Sequence, residues 1–241
     1  MPHIHCAALI LRATVFKEHD LLLDILTEAQ GRVKVVARGA LKSKKRYQGC
    51  LEPGSLVRVD YLPKSQLPTL GSCDLLSSVW YSRQQLETLA ALYYVLEILR
   101  VSTAYAEMDQ ALFKSAVSVI EMIEGGDYTE ANLIRWELHL FTHLGYHLRI
   151  DRCPYTQLPP DGISFKEGGT ISAQANKPYI AVPIHLLRVL FRLQRNETVT
   201  LDVDDAQILR KTMGLLWQDL CQTSLQSLSF FDTLTQFNSI G

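Results

Sequence analysis

No apolar run in this chain approaches the length needed to cross a bilayer, so no membrane span is expected. The N-terminus MPHIHCAALILRAT lacks a basic n-region and a small-residue cleavage site, and no signal peptide is read there. The five cysteines, Cys6, Cys50, Cys73, Cys153 and Cys221, are odd in number, scattered and never spaced as CxxC. That pattern excludes a disulfide framework and fits reduced thiols in a cytoplasmic protein. The chain also lacks GxGxxG, a Walker loop, HExxH, GxSxG and a kinase signature. With no such motif, a non-enzyme without a cofactor is expected.

The most local deficit is of acid. Between Ala29 and Leu51 there is no Asp or Glu, but there are seven cations: Arg32, Lys34, Arg38, Lys42, Lys44, Lys45 and Arg46. Across all 241 residues the balance is 24 basic to 25 acidic, so the charge is distributed unevenly and not in excess. A hydrophobic content of 47% supplies a sizeable core.

The first eighty residues read as strands at 6–14, 20–28, 32–38, 55–63 and 69–79. In RVKVVAR, Val33, Val35 and Ala37 alternate with Arg32, Lys34 and Arg38, interrupted at Val36. A period of two places valines on one face and cations on the other. Five short strands with no intervening helix predict a small barrel. The longest connection falls between strands three and four, which is the plan of an OB-fold. The cation-rich stretch fills that connection. After Trp80 the period becomes helical, with helices over 83–106, 108–126 and 128–146. Asp109 and Thr129 are candidate N-caps, and Gly125 and Gly145 are stops. Residues 147–182 read as irregular, followed by helices after Pro183 and over about 204–221. The expected fold class is α+β: an OB-fold domain (1–80) and a helical domain (81–241).

His139 and His143, spaced i, i+4, could place two imidazoles on one helix face, but a metal site would need a third ligand. They also flank the apolar stripe of Leu140, Leu144 and Trp136, which accounts for them without a metal. Asp202, Asp204 and Asp205 fit a helix start. The basic stretch has two readings. Lysine-rich loops protect sheet edges from aggregation. A cationic strand face continuing into a loop of an OB-like barrel is instead the footprint of a nucleic-acid groove. Tyr47 could stack on an unpaired base or pack under the barrel.

The stretches LLLDILTEAQGRVKVVARGALKSKKRYQGCLEPGSLVRVDY, TLGSCDLL and LIRWELHLFTHLGYHLRIDRC together resemble the RecO family of bacterial recombination mediators. The resemblance implies an OB-fold followed by a helical domain. It implies binding of single- and double-stranded DNA and annealing of complementary strands, in a nucleoid-associated protein of the cytoplasm. It also implies action with RecR to load RecA on DNA coated by single-stranded DNA-binding protein. That coat protein's acidic, Phe-terminated tail is expected on the helical domain, at Arg135, Arg210 and Lys211. Arg188, Arg192 and Arg195 rim a later helix and read as a solvated face. The DNA-binding set is Arg32, Lys34, Arg38, Lys42, Lys44, Lys45, Arg46 and Tyr47.

Two features depart from the family pattern. Many members carry four cysteines in the irregular segment, as a zinc ribbon. Here Cys153 stands alone, so no zinc is expected and the segment should be held by Tyr155, Phe165, Ile171 and Tyr179. The tail SLQSLSFF lacks the basic residue that many members place before the aromatic pair. Two other classes stay open: a scaffold whose OB-like domain binds protein, and a metal-dependent hydrolase using His139 and His143.

Overall fold

A computed structural model describes residues 3–43, 46–47, 49–63 and 67–231. The chain divides into two compact units, Met1–Asp127 with Ser229–Gly241, and Tyr128–Leu228. The 1–80 boundary expected from the sequence therefore falls inside the first unit, where two helices cluster with the sheet.

In the first unit, β1 (Ile4–Val15), β2 (Leu21–Thr27), β3 (Gly31–Ala37), β4 (Leu56–Tyr61) and β5 (Leu70–Ser77) form one antiparallel sheet. Its order is β3-β2-β1-β4-β5. The register sets Ile10 against Ile25 and Ile25 against Val33, and Ala8 against Val57. One face thus gathers Ala8, Ile10, Leu23, Ile25, Val35, Val57, Val59 and Tyr61, all buried, into one core. Among the described residues, the edge strand β3 meets the segment leading into β5 at a single parallel bridge, Val36 to Thr69. The Val36 amide donates to the Pro68 carbonyl at 2.8 Å. This explains the break in alternation read from the sequence: Val36 is covered on the face where cations were expected.

The turn between β2 and β3 requires glycine. Gly31 has φ +66°, and a Cβ there would lie 1.8 Å from the Glu107 carbonyl oxygen. Two helices follow, α1 (Leu86–Ser102) and α2 (Gln110–Glu124). Asp109 caps α2 by accepting from the Leu112 amide at 2.9 Å.

The second unit holds α3 (Glu130–His143), a small sheet of β6 (Gly162–Ser164), β7 (Gly169–Ile171) and β8 (Ile180–Ala181), then α4 (Ile184–Gln194) and α5 (Val203–Cys221). Thr129 caps α3 and Asp202 caps α5. Its core stacks Phe141 on Trp217, with ring centroids 4.2 Å apart. The segment read as irregular contains that three-stranded sheet, whose strands of two or three residues are too short to show a period. Ile171 is fully buried, and Phe165 packs on Phe141 and Tyr146. Tyr155 and Tyr179 are exposed; the Tyr155 hydroxyl donates to the Glu167 carboxylate and Lys177 Nζ lies 5.4 Å from the Tyr155 ring centroid.

Two positive-φ glycines of the first unit, Gly31 and Gly39, give a contrast. Gly31→Ala must move the Glu107 backbone and should lower the unfolding free energy by about 3 kcal/mol or more. Gly39, at φ +67°, has open space around its Cβ position. Gly39→Ala should cost only the left-handed penalty of about 1–2 kcal/mol. Urea unfolding of both variants checks the ranking.

Candidate nucleic-acid interface

The side chains at 32, 34 and 36 share one face of β3, because successive residues point to opposite sides, and Arg38 follows the strand's last residue. The structure divides them. Arg32 is buried, at 8% exposure. Its Nε donates to Asp24 Oδ1 at 2.8 Å and its Nη2 to Asp24 Oδ2 at 2.6 Å. Nη1 donates to the carbonyls of Arg100 and, at 3.1 Å, Thr103. Nη2 also reaches the Tyr105 hydroxyl at 2.7 Å, and the Tyr105 ring centroid lies 4.1 Å from the guanidinium carbon.

Arg32 therefore cannot line an exposed groove, which corrects the sequence reading. The reason is physical. A buried carboxylate needs a partner, and the arginine fork fits it bidentately. The same group satisfies carbonyls at the end of α1, where a cation is also favoured by the helix dipole. The signal was present in DLLLDILTE: Asp24 interrupts an apolar strand beside β3.

Lys34 is exposed, with its Nζ 5.1 Å from the Tyr105 ring centroid. Arg38 and Lys42 are exposed as well. None of these three has an ion-pair partner among the described residues. Lys34 lies within β3, and Arg38 directly follows it. The loop beyond them is fixed at its start: the Gly39 amide donates to Asp20 Oδ1 at 2.8 Å, and the amides of Lys42 and Ser43 donate to the Gly39 carbonyl. Lys44 and Lys45 lie outside the described residues. Arg46 is exposed but donates to the Gly71 carbonyl at 3.0 Å.

Tyr47 resolves to the core. It is 5% exposed, its hydroxyl reaches the Leu70 carbonyl at 3.4 Å, and burial raises its phenol pKa against the opposing Arg46 charge. A ring held in this way is not free to stack on a base.

The second unit repeats the lesson. Arg210 is 4% exposed and donates from Nε to Glu130 Oε1 at 2.5 Å. Its Nη2 lies 2.9 Å from Glu137 Oε2, and the Trp217 indole donates to the other Glu137 oxygen at 2.9 Å. Arg210 is thus a buried strut between α5 and α3, not a rim cation. Arg135 is half-buried and spans from Asn132 to the Glu197 carbonyl, at 3.1 and 2.9 Å. Lys211 is exposed. These three residues do not form the pocket expected of them. His139 and His143 are both exposed on α3.

Sequence reasoning missed a groove of about 550 Å³ in this unit, lined by Ile150, Pro160, Ile184, Leu187 and Phe191, with Arg152, Arg188 and Asp151 also lining it. Its signal lay in IHLLRVLFR, where Ile184 and Phe191 remain exposed on an otherwise amphipathic helix.

Two family models match the chain: Recombination protein O N terminal over residues 1–90, and Recombination protein O C terminal over 83–227. The chain belongs to the recombination protein O family. Relatives carrying the name DNA repair protein RecO include one from Myxococcus xanthus (strain DK1622), 28% identical over 216 residues and 87% of each chain. One from Shigella flexneri serotype 5b (strain 8401) is 30% identical over 156 residues and 64% of each chain. One from Koribacter versatilis (strain Ellin345) is 34% identical over 121 residues, 49% of this chain and 50% of that one. The family is thus one of DNA repair and recombination. Its N-terminal half corresponds here to the five-stranded sheet, and no helix among the described residues is long and apolar enough to cross a membrane.

The split between struts and exposed cations is measurable. Arg32→Ala leaves Asp24 buried without its partner and should cost about 3–5 kcal/mol of stability. Lys34→Ala should stay within about 0.5 kcal/mol. Urea unfolding of the two variants reads the difference, and an Arg32→Ala protein as stable as the parent contradicts the assignment.

Proposed function

We propose that this protein is a DNA-binding recombination mediator. It anneals complementary strands and, with RecR, helps load RecA onto DNA coated by single-stranded DNA-binding protein, acting at the nucleoid. The observation that carries the reading is the set of exposed cations on and beside β3, Lys34, Arg38 and Lys42, which have no ion-pair partner among the described residues. They stand in a stretch with no acid of its own, and the sheet order is that of a fold whose face and loops bind oligonucleotides. Lys44, Lys45 and Arg46 extend the same stretch in sequence.

The mechanism involves no bond chemistry. Lysine and arginine neutralise phosphates and release counterions, which supplies affinity without base readout. Two strands held on one cationic surface repel each other less, so complementary sequences pair. The groove beside α4 fits an acidic tail ending in Phe: apolar side chains receive the ring, and Arg152 and Arg188 meet the acids. On this reading the tail site lies away from Arg135, Arg210 and Lys211. Holding the tail brings the annealing surface to coated DNA by raising its effective concentration.

Replacing Lys34, Arg38 and Lys42 together by alanine should lower the salt slope of DNA binding by about 2–3 units, since each phosphate contact contributes 0.7–0.9. Annealing of coated strands should fall in parallel, and an unchanged slope would contradict the interface. Reversing Arg152 and Arg188 to glutamate should weaken an acidic Phe-ended peptide at least tenfold by fluorescence anisotropy. Lys211→Glu should leave that binding within twofold.

A further inference from the structure

With Tyr47 buried, the described part of the cationic stretch offers no aromatic ring to an unpaired base. The turn between β1 and β2 does. Phe16 is 41% exposed, next to Val15 at 71%, and Leu41 across the turn is 50% exposed. Backbone hydrogen bonds fix this corner. The Phe16 amide donates to the Asp20 carbonyl at 3.0 Å and the Leu41 amide to the His19 carbonyl at 3.1 Å. The Asp20 carboxylate is occupied by the Gly39 amide. The ring therefore stands on a tied turn, not on a free loop.

Its electrostatic setting points to one kind of partner. Lys17 Nζ lies 5.5 Å from the Phe16 ring centroid. Arg38 and Lys42 are exposed on the segment tied to the turn. The nearby acids are Asp20, held as above, and the exposed Glu18, whose carboxylate lies 3.7 Å from His19 Nε2. Cations around an exposed aromatic match a chain that alternates phosphates with flat apolar faces. Only unpaired bases offer such a face, because a duplex buries it between neighbouring base pairs.

We propose that Phe16 is a stacking platform for an unpaired base of single-stranded DNA, with Leu41 as its apolar neighbour and Lys17, Arg38 and Lys42 as phosphate contacts. The proposal rests on the DNA-binding reading above and adds to it a preference for single strands. Phe16 carries no charge, so it contributes affinity without counterion release.

The test compares Phe16→Ala and Phe16→Trp in the full chain, with oligo(dT) and a blunt hairpin duplex as probes. Phe16→Ala should weaken oligo(dT) binding by about 5- to 150-fold, the range a single base–aromatic stack is worth. Duplex affinity should stay within twofold, and the salt slope should not change. Phe16→Trp should restore oligo(dT) binding, and its added fluorescence should be quenched by oligo(dT) but not by the duplex. Unchanged oligo(dT) affinity in Phe16→Ala, with the parent still binding DNA, overturns the stacking role and leaves the DNA-binding reading intact. An equal loss for both probes also overturns it, as does a Trp variant that binds without quenching. A parent protein that binds neither probe overturns the underlying reading itself.

Discussion

The guanidinium of Arg32 is the contact around which the first unit is organised. It joins β2 to β3 through Asp24, takes up carbonyls at the end of α1, and holds the Tyr105 ring with its centroid 4.1 Å from the guanidinium carbon. Two buried charges with separate partners would be costly to desolvate; one fork meeting a carboxylate and two carbonyls is tolerated. The consequence reaches the surface. Because Arg32 is buried and Val36 is covered by the segment entering β5, the outer face of β3 presents Lys34 to solvent, with the exposed Arg38 just past its end. The cationic face is a product of this burial as much as of the sequence.

The second unit is built on the same physics. Glu137 is fully buried, and its two oxygens are met by Arg210 and by the Trp217 indole. Glu130 joins from one end of α3. Arginines that read as ligand contacts serve here as fasteners between helices. A groove lies instead beside α4, where Ile184 and Phe191 stay exposed and Arg152 and Arg188 line it.

The fold was largely legible because its signals are local. Alternation in RVKVVAR, the glycine of AQG, and the caps Asp109, Thr129 and Asp202 all act within a few residues of themselves. The short strands β6, β7 and β8 were not legible, since their pairing depends on residues up to nineteen apart. The site was legible in its charge and not in its burial. A basic residue looks the same in sequence whether it faces water or a carboxylate eight residues away, as Arg32 faces Asp24, or eighty away, as Arg210 faces Glu130. Tyr47 sat beside Arg46 as a stacking residue would, yet the core claimed it. Phe16 sat in a turn, where an aromatic ring has little to pack against, and stayed exposed.

The central claim is that DNA lies on the exposed cations of β3 and its following loop. Lysine acetylation of the folded protein, read residue by mass spectrometry with and without single-stranded DNA, tests it most directly. Lys34 and Lys42 should be protected by DNA, while the exposed Lys114 and Lys166 react equally in both conditions. Equal modification of Lys34 and Lys42 with and without bound DNA would contradict the account.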